Sequence, residues 1–317
     1  MKVKLILFYL IVISIDGLAQ TPQDNYNKSI LFEKQKQYDH ALKSVNKAIK
    51  GSEVPVEDFW YLKFKILMKK NDLGSLKETL DSAIVQLPNS IKLLEERTEY
   101  SVLVNDFRQA ALDLKKLISL KKEYKTKEHM LNLAGLYFKS KKIDESLEIV
   151  KSILADDPQN TQGILVLASI LTEKKQYLNA IQLFESILHS DVENILINLG
   201  YVYQKLNNNG QAIELFEHSL KINDQNPYAL SNLAKSKLAI GATEEAMVIV
   251  NKSIKILPNN AYAIKVKGEI YLRMNNKEQA CFEFIVARNL GYDNQFQDSI
   301  LDIMPLECVK LTKALFK

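Results

Sequence analysis

Only a few side chains in this chain could do chemistry. The four histidines, His40, His129, His189 and His218, fall in four separate stretches, with no His-Glu-x-x-His spacing and no cysteine beside any of them. No glycine-rich phosphate loop and no Gly-x-Ser-x-Gly elbow occurs. Acid pairs such as Glu244-Glu245 lie beside a helix start, where negative charge complements the helix dipole. This inventory predicts a protein that is not an enzyme and holds no cofactor and no metal. The two cysteines, Cys281 and Cys308, could form a disulfide in an oxidising compartment, stapling the last helix to the last repeat. Each would also suit a buried apolar position. What remains is hydrogen bonding by Asn27, Asn132, Asn198 and Asn232, which recur at one repeat position. An Asn amide offers an acceptor and two donors, so it can pair with both C=O and N–H of an extended peptide whatever its sequence.

The elements that must position these residues follow from a period of 34. Gly200, Ala234 and Gly268 recur at that interval, and Ala212, Ala246 and Ala280 follow them twelve residues on. Such a period means one helical hairpin per unit, each burying its apolar face against its neighbours. Units run near 22–55, 57–90, 91–126, 127–160, 161–192, 193–226, 227–260 and 261–294. The fourth position is Trp60, Leu94, Met130, Ile164, Leu196, Leu230 or Ile264, and the eleventh includes Phe32, Leu67, Tyr137, Leu171, Tyr203 and Tyr271, all on one apolar face. The eighth, small in Ala134, Ala168, Gly200, Ala234 and Gly268, lets two helices approach closely; Ser29, Phe64 and Thr98 depart from this. In the second helix Ala41, Ala110, Ala180, Ala212, Ala246 and Ala280 make the close contact, and Phe184, Phe216 and Phe284 fill the space four residues later. Pro88, Pro158 and Pro258 end helices. Thr98 to Ala134 is 36 residues and Ala168 to Gly200 is 32, so a pair is gained near 120–127 and lost near 189–193.

At the N-terminus Lys2 and Lys4 precede an apolar run from Leu5 to Ile15 and then Asp16-Gly17-Leu18-Ala19. This reads as a secretory signal peptide over 1–19, cleaved between Ala19 and Gln20. The run is shorter than the roughly 20 residues of a membrane span, so no transmembrane segment is expected in the mature chain. The 42 basic and 38 acidic residues are interspersed, which argues against a nucleic-acid partner. With 47% hydrophobic residues, 10 Gly and 7 Pro, the chain can bury a continuous core with little linker. The stretch 295–317 mixes Phe296, Ile300, Ile303, Leu306, Val309, Leu311 and Leu315 with charge, and Pro305 suits a first helical position, so a C-terminal cap is predicted.

The combination of Leu199-Gly200 with Tyr203 and Ala212, Leu233-Ala234 with Ala246, and Leu133-Ala134 with Tyr137 and Pro158 resembles the tetratricopeptide repeat family over residues 22 to 294. The resemblance implies an all-α solenoid of about eight helical hairpins with a C-terminal capping helix. It implies too that first-helix positions two, five, six, nine and twelve line a groove for a protein or peptide partner. Asn132, Asn198 and Asn232, with Tyr201, Tyr228, Lys235, Tyr262, Lys265 and Arg273, are the expected groove residues. The family's carboxylate-clamp pattern is absent: Ile197, Tyr201, Asn232, Tyr262 and Val266 occupy its places, and only the Asn is retained. The expected function is a non-catalytic scaffold exported to the bacterial cell envelope, binding an extended segment. The alternatives are an envelope-assembly subunit docking through its convex face or cap, and a carbohydrate binder stacking sugars on Tyr201, Tyr228 and Tyr262. Sequence sets no oligomeric state.

Overall fold

In a computed structural model, residues 21–189, 192–295, 299–305 and 308 are described. The N-terminal leader lies outside them, as do Phe296, Leu306, Val309, Leu311 and Leu315 of the predicted cap. Eight helical hairpins follow one another: α1 (Pro22–Lys34) with α2 (Tyr38–Gly51), α3 (Glu57–Lys70) with α4 (Leu73–Gln86), and α5 (Ile91–Leu103) with α6 (Phe107–Leu120). Then come α7 (Lys127–Lys139) with α8 (Ile143–Asp156), α9 (Thr161–Glu173) with α10 (Tyr177–Ser186), and α11 (Val192–Lys205) with α12 (Asn209–Ile222). Last are α13 (Pro227–Ala239) with α14 (Thr243–Ile256), and α15 (Ala261–Arg273) with α16 (Lys277–Asn289). Two single turns, α17 (Tyr292–Gln295) and α18 (Ile300–Ile303), complete the described chain, which contains no strand. The chain divides into two compact units, up to His129 and from Met130. Each is a stack of hairpins.

Every hairpin turns the same way. Lys36, Asn71, Asn105, Lys141, Lys175, Asn207, Gly241 and Asn275, all at the fifteenth repeat position, have positive φ. Such a left-handed residue ends the first helix in a Schellman turn, in which the next N–H reaches back five residues to a helical carbonyl. Gln37 N donates to Phe32 O (2.9 Å), Asn208 N to Tyr203 O (2.9 Å) and Asn276 N to Tyr271 O (2.8 Å). Asp72, Asp106, Asn208 and Asn276 then cap the second helix through their side-chain oxygens. Asn and Gly tolerate this conformation, so four Asn and one Gly at the fifteenth repeat position carry a turn signal that the apolar pattern does not.

The hairpins close on the small eighth position. A Cβ on Gly200 would stand 2.6 Å from Cε1 of Phe216, and one on Gly268 2.7 Å from Cε1 of Phe284. Both rings are fully buried. Where the eighth residue is Ala134 or Ala234, the facing residue shrinks to Val150 or Val250, also fully buried. The departures have their own solutions. Ser29 donates its hydroxyl to Ala41 O (2.8 Å), and in mirror fashion Ser146 donates to Ala134 O (2.8 Å). Thr98 turns back to Leu94 O in its own helix (2.8 Å). Phe64 has no small partner and packs in a layer of large side chains with Trp60, Leu76 and Leu80. The gained pair forms a 3-10 turn, Lys122–Tyr124, and the shortened repeat ends its second helix at Ser186 after 10 residues.

A second substitution pattern is polar. At positions seven and twenty-three the middle hairpins pair Leu133 with Ile149, Leu167 with Leu183, Leu199 with Leu215 and Leu233 with Ile249. The third hairpin instead has Arg97 and Asp113, joined by Nε–Oδ2 (2.8 Å) and Nη2–Oδ1 (2.7 Å) bonds, with Nη1 reaching Asp81 of α4 (3.0 Å). The eighth has Lys267 and Glu283 at 2.7 Å. Asp113 is 3% exposed, so its charge depends on Arg97. Burial pushes the Asp81 carboxyl up, but hydrogen bonds from Lys77 and Arg97 outweigh it and hold the group below its usual range. Stability from Asp81 is therefore present above its unfolded pKa and is lost as pH falls through the lower folded one.

Two outcomes follow, each read by chemical denaturation. Gly268→Ala lowers stability by about 1–3 kcal/mol despite the roughly 1 kcal/mol better helix propensity of Ala. The same change made in a Phe284→Val background costs nothing, because that pair copies Ala234/Val250. Arg97→Ala, which strands Asp113, costs about 3–5 kcal/mol, and the double change Arg97→Leu/Asp113→Ile recovers most of it by introducing the apolar pairing of the middle hairpins.

Candidate functional site

The expected groove residues of the sixth to eighth hairpins lie on α11, α13 and α15, on the first-helix side of the second unit. Asn198 Nδ2 donates to Asn194 O (2.8 Å), and Asn232 Nδ2 donates to Tyr228 O (2.9 Å). The two amides, 34 residues apart, are thus fixed by the same bond one turn back, each keeping Oδ1 and a second N–H for another partner. Beside them Gln204 Nε2 bridges Asn232 O (3.1 Å) and Ser236 Oγ (2.8 Å), and the Tyr262 hydroxyl stands 3.5 Å from Gln204 Oε1. Gln204, at the twelfth position, was not among the expected residues; its signal lies in side-chain reach across one repeat.

Charge is arranged differently from the sequence expectation. Glu269, one turn beyond Lys265, accepts from Lys235 of the preceding hairpin (2.8 Å) and from Lys265 (3.0 Å). Lys265 is not a cationic tip on the surface: it is 5% exposed, and its Nζ lies 5.9 Å from the Tyr262 ring centre and 5.6 Å from that of Tyr292. Burial forces a lysine to take a carboxylate and aromatic faces as partners, and this is what removes it from the surface. Tyr228 is 56% exposed. Tyr201 is half-buried with Lys205 5.0 Å over its ring, and Tyr262 is half-buried. The three tyrosines therefore do not make one open stacking platform. Arg273 is exposed in the last turn of α15, and Asn132 is exposed on α7.

The first unit carries a face of other character. Glu95, Glu96 and Glu99 stand at positions five, six and nine of α5. The Tyr124 hydroxyl donates to Glu95, Tyr61 bonds Glu96, and Lys92 Nζ lies 3.4 Å from the Tyr61 ring centre. Burial, then the charges of Glu99 and Glu95, raise the Glu96 pKa. Among the described residues no group of three or more His, Cys, Asp or Glu could hold a metal ion. No described helix is long and apolar enough to cross a membrane.

The family model of the tetratricopeptide repeat matches residues 203–270, the stretch that contains Gln204, Asn232, Lys235, Lys265 and Glu269. This stretch is made of tetratricopeptide repeats. The chain is 23% identical over 283 residues to a TPR repeat-containing protein of Methanocaldococcus jannaschii, a match covering 82% of this chain and 48% of that one. The chain thus spans about half the length of the curated relative it matches. The fold is similar to that of a tetratricopeptide repeat protein from Parabacteroides merdae (TM-score 0.54, 19% identity, 74% of this chain and 93% of that one). It is also similar to the APC/C hetero-tetramer Cut9-Hcn1 (TM-score 0.53, 14% identity, 95% and 57%). These likenesses establish the repeat fold, an architecture that as a rule serves as a non-catalytic scaffold for binding other proteins.

A raised carboxyl pKa means that the folded state holds the proton longer than the unfolded one, so ionising Glu96 weakens the fold as pH rises just above the ordinary carboxylate range. Glu96→Gln removes that loss. In urea unfolding, its midpoint advantage over wild type is larger at about pH 7 than at about pH 4.

Proposed function

We propose that this tetratricopeptide repeat protein is exported to the bacterial cell envelope. There it serves as a non-catalytic adaptor, holding an extended segment of a partner protein along α11, α13 and α15. The observation that carries this reading is the identical fixing of Asn198 and Asn232 by bonds to Asn194 O and Tyr228 O. A side-chain amide already oriented loses little freedom on binding, and two at one repeat's spacing suit the repeating amides of an extended backbone. Glu269 engages both Lys235 and Lys265 and offsets one of their two positive charges, which suits a segment recognised by its backbone more than an acidic terminus. The leader pattern of residues 1–19 and the pairing of Cys281 with Cys308 support export to an oxidising compartment. Docking of an envelope assembly on the second helices is the other reading. It is favoured by Val248 on α14 and Phe282 on α16, apolar, 34 residues apart, and 71% and 62% exposed.

Crosslinking in the native envelope followed by tagged recovery identifies the partner, and titration of that partner then compares variants. Asn198→Ala/Asn232→Ala is expected to bind about tenfold more weakly, roughly one net hydrogen bond's worth, with helical content unchanged. Undiminished affinity would refute the groove reading. Loss on Val248→Ser/Phe282→Ser instead would place the partner on the second-helix face.

A further inference from the structure

In a solenoid each repeat touches its neighbours, yet one contact in the second unit skips three hairpins. Lys141, the left-handed residue in the turn between α7 and α8, donates from Nζ to the backbone oxygen of Asp293 (3.3 Å), 152 residues later. Asp293 lies in α17, after the eighth hairpin. A bond between hairpin four and the end of hairpin eight requires the five-hairpin unit to curve back toward itself. The same short turn is anchored on the first-helix side of the last hairpin: Tyr292 is 1% exposed, with Lys265 Nζ 5.6 Å from its ring centre. Asp293 is itself held from two sides, accepting from Arg288 Nε at Oδ2 (3.2 Å) and from Ile300 N at Oδ1 (2.9 Å).

Beyond it Ile300, Met304 and Cys308 are buried in the core of the eighth hairpin with Ala280, Phe284 and Ala287. Cys308 is bonded to Cys281 of α16, their Cα atoms 5.4 Å apart and 27 residues apart in sequence. The loop closed by that bond contains Tyr292 and Asp293.

We propose that the turn at Tyr292–Asp293, with the buried Ile300, Met304 and Cys308, is a strap that joins the fourth hairpin to the eighth beside the first-helix face, and that the Cys281–Cys308 bond is its latch. A dithiol reductant opens it: the S–S bond breaks, two electrons and two protons pass to Cys281 and Cys308 as thiols, and the reductant becomes a disulfide. While the bond is closed, the loop it encloses has few conformations away from its seat. Once it is open, the strap is retained by its apolar contacts, by the Arg288–Asp293 bond and by the exposed hydrogen bond from Lys141, each modest by itself. The effect on partner binding rests on the groove reading above; the latch does not, and it is tested without ligand.

The experiment is hydrogen–deuterium exchange read by mass spectrometry on the full chain. Oxidised wild type is compared with wild type reduced by dithiothreitol and with oxidised Lys141→Asn, whose side chain tolerates the left-handed turn. Reduction is expected to speed exchange about tenfold or more around Tyr292–Asp293 and, together with it, in the turn at 139–142, while α11 to α14 stay protected. Lys141→Asn, which removes one modest bond, is expected to speed exchange around Asp293 by a factor of about two to five with the disulfide intact. Unchanged exchange around Tyr292–Asp293 on reduction would overturn the latch. A loosened C-terminal segment with an unaffected 139–142 turn, or a silent Lys141→Asn, would overturn the strap. Failure of the groove reading alters none of these rates; it shows only in partner affinity.

Discussion

The closeness of the two helices in each hairpin is the constraint from which the rest of the structure follows. At Gly200 and Gly268 a phenylalanine ring of the second helix occupies the space that a Cβ would need. This contact fixes how far the two helices stand apart, and with it the row of apolar residues that the hairpin offers to the next one. Because interiors are close-packed, a change on one side can be answered on the other: glycine meets Phe216 or Phe284, and Ala134 and Ala234 meet Val150 and Val250, while Ala168 keeps the large Phe184. The first and fourth hairpins hold the same approach by a serine hydroxyl bonded to the facing carbonyl, with the serine on opposite helices in the two cases.

Within that frame, charge appears where a fully apolar pair would also have fitted. Arg97 with Asp113, and Lys267 with Glu283, take positions that are Leu with Ile or Leu in the intervening hairpins. Desolvating such ions is costly, and only good geometry offsets it. The paired Nε and Nη2 bonds of Arg97 provide it, since a guanidinium matches a carboxylate in two places at once. Each ion of these pairs demands its own partner, so the pairs distinguish the third and eighth hairpins from the apolar middle ones.

The fold supplies a row of first helices; function belongs to the side chains placed on it. On α11 and α13 the amides of Asn198 and Asn232 are held in place and the neighbouring Lys235 and Lys265 are both engaged by Glu269, leaving a surface of oriented hydrogen-bonding groups with the exposed Tyr228 among them. On α5 the same repeat positions carry Glu95, Glu96 and Glu99. One scaffold therefore presents two chemically distinct faces, in separate units.

The sequence by itself determined the hairpins, their number and the residues at their closest approach. Each of these depends on contacts between residues a fixed interval apart, and a period of 34 repeats that interval eight times. The left-handed turns were equally local, and Asn71, Asn105, Asn207, Gly241 and Asn275 carried their signal. Only the tertiary structure decided which polar groups remain available. Lys265 reads as a surface cation until Glu269, Tyr262 and Tyr292 converge on it, and the last of these comes from beyond the repeats. Gln204 gains its role from Ser236 and Tyr262, one and two hairpins away. The meeting of Lys141 with Asp293 depends on curvature accumulated over five hairpins. The rotation between successive hairpins is small and is set by the packing of whole side chains, so no interval in the sequence records where it brings the chain back to itself.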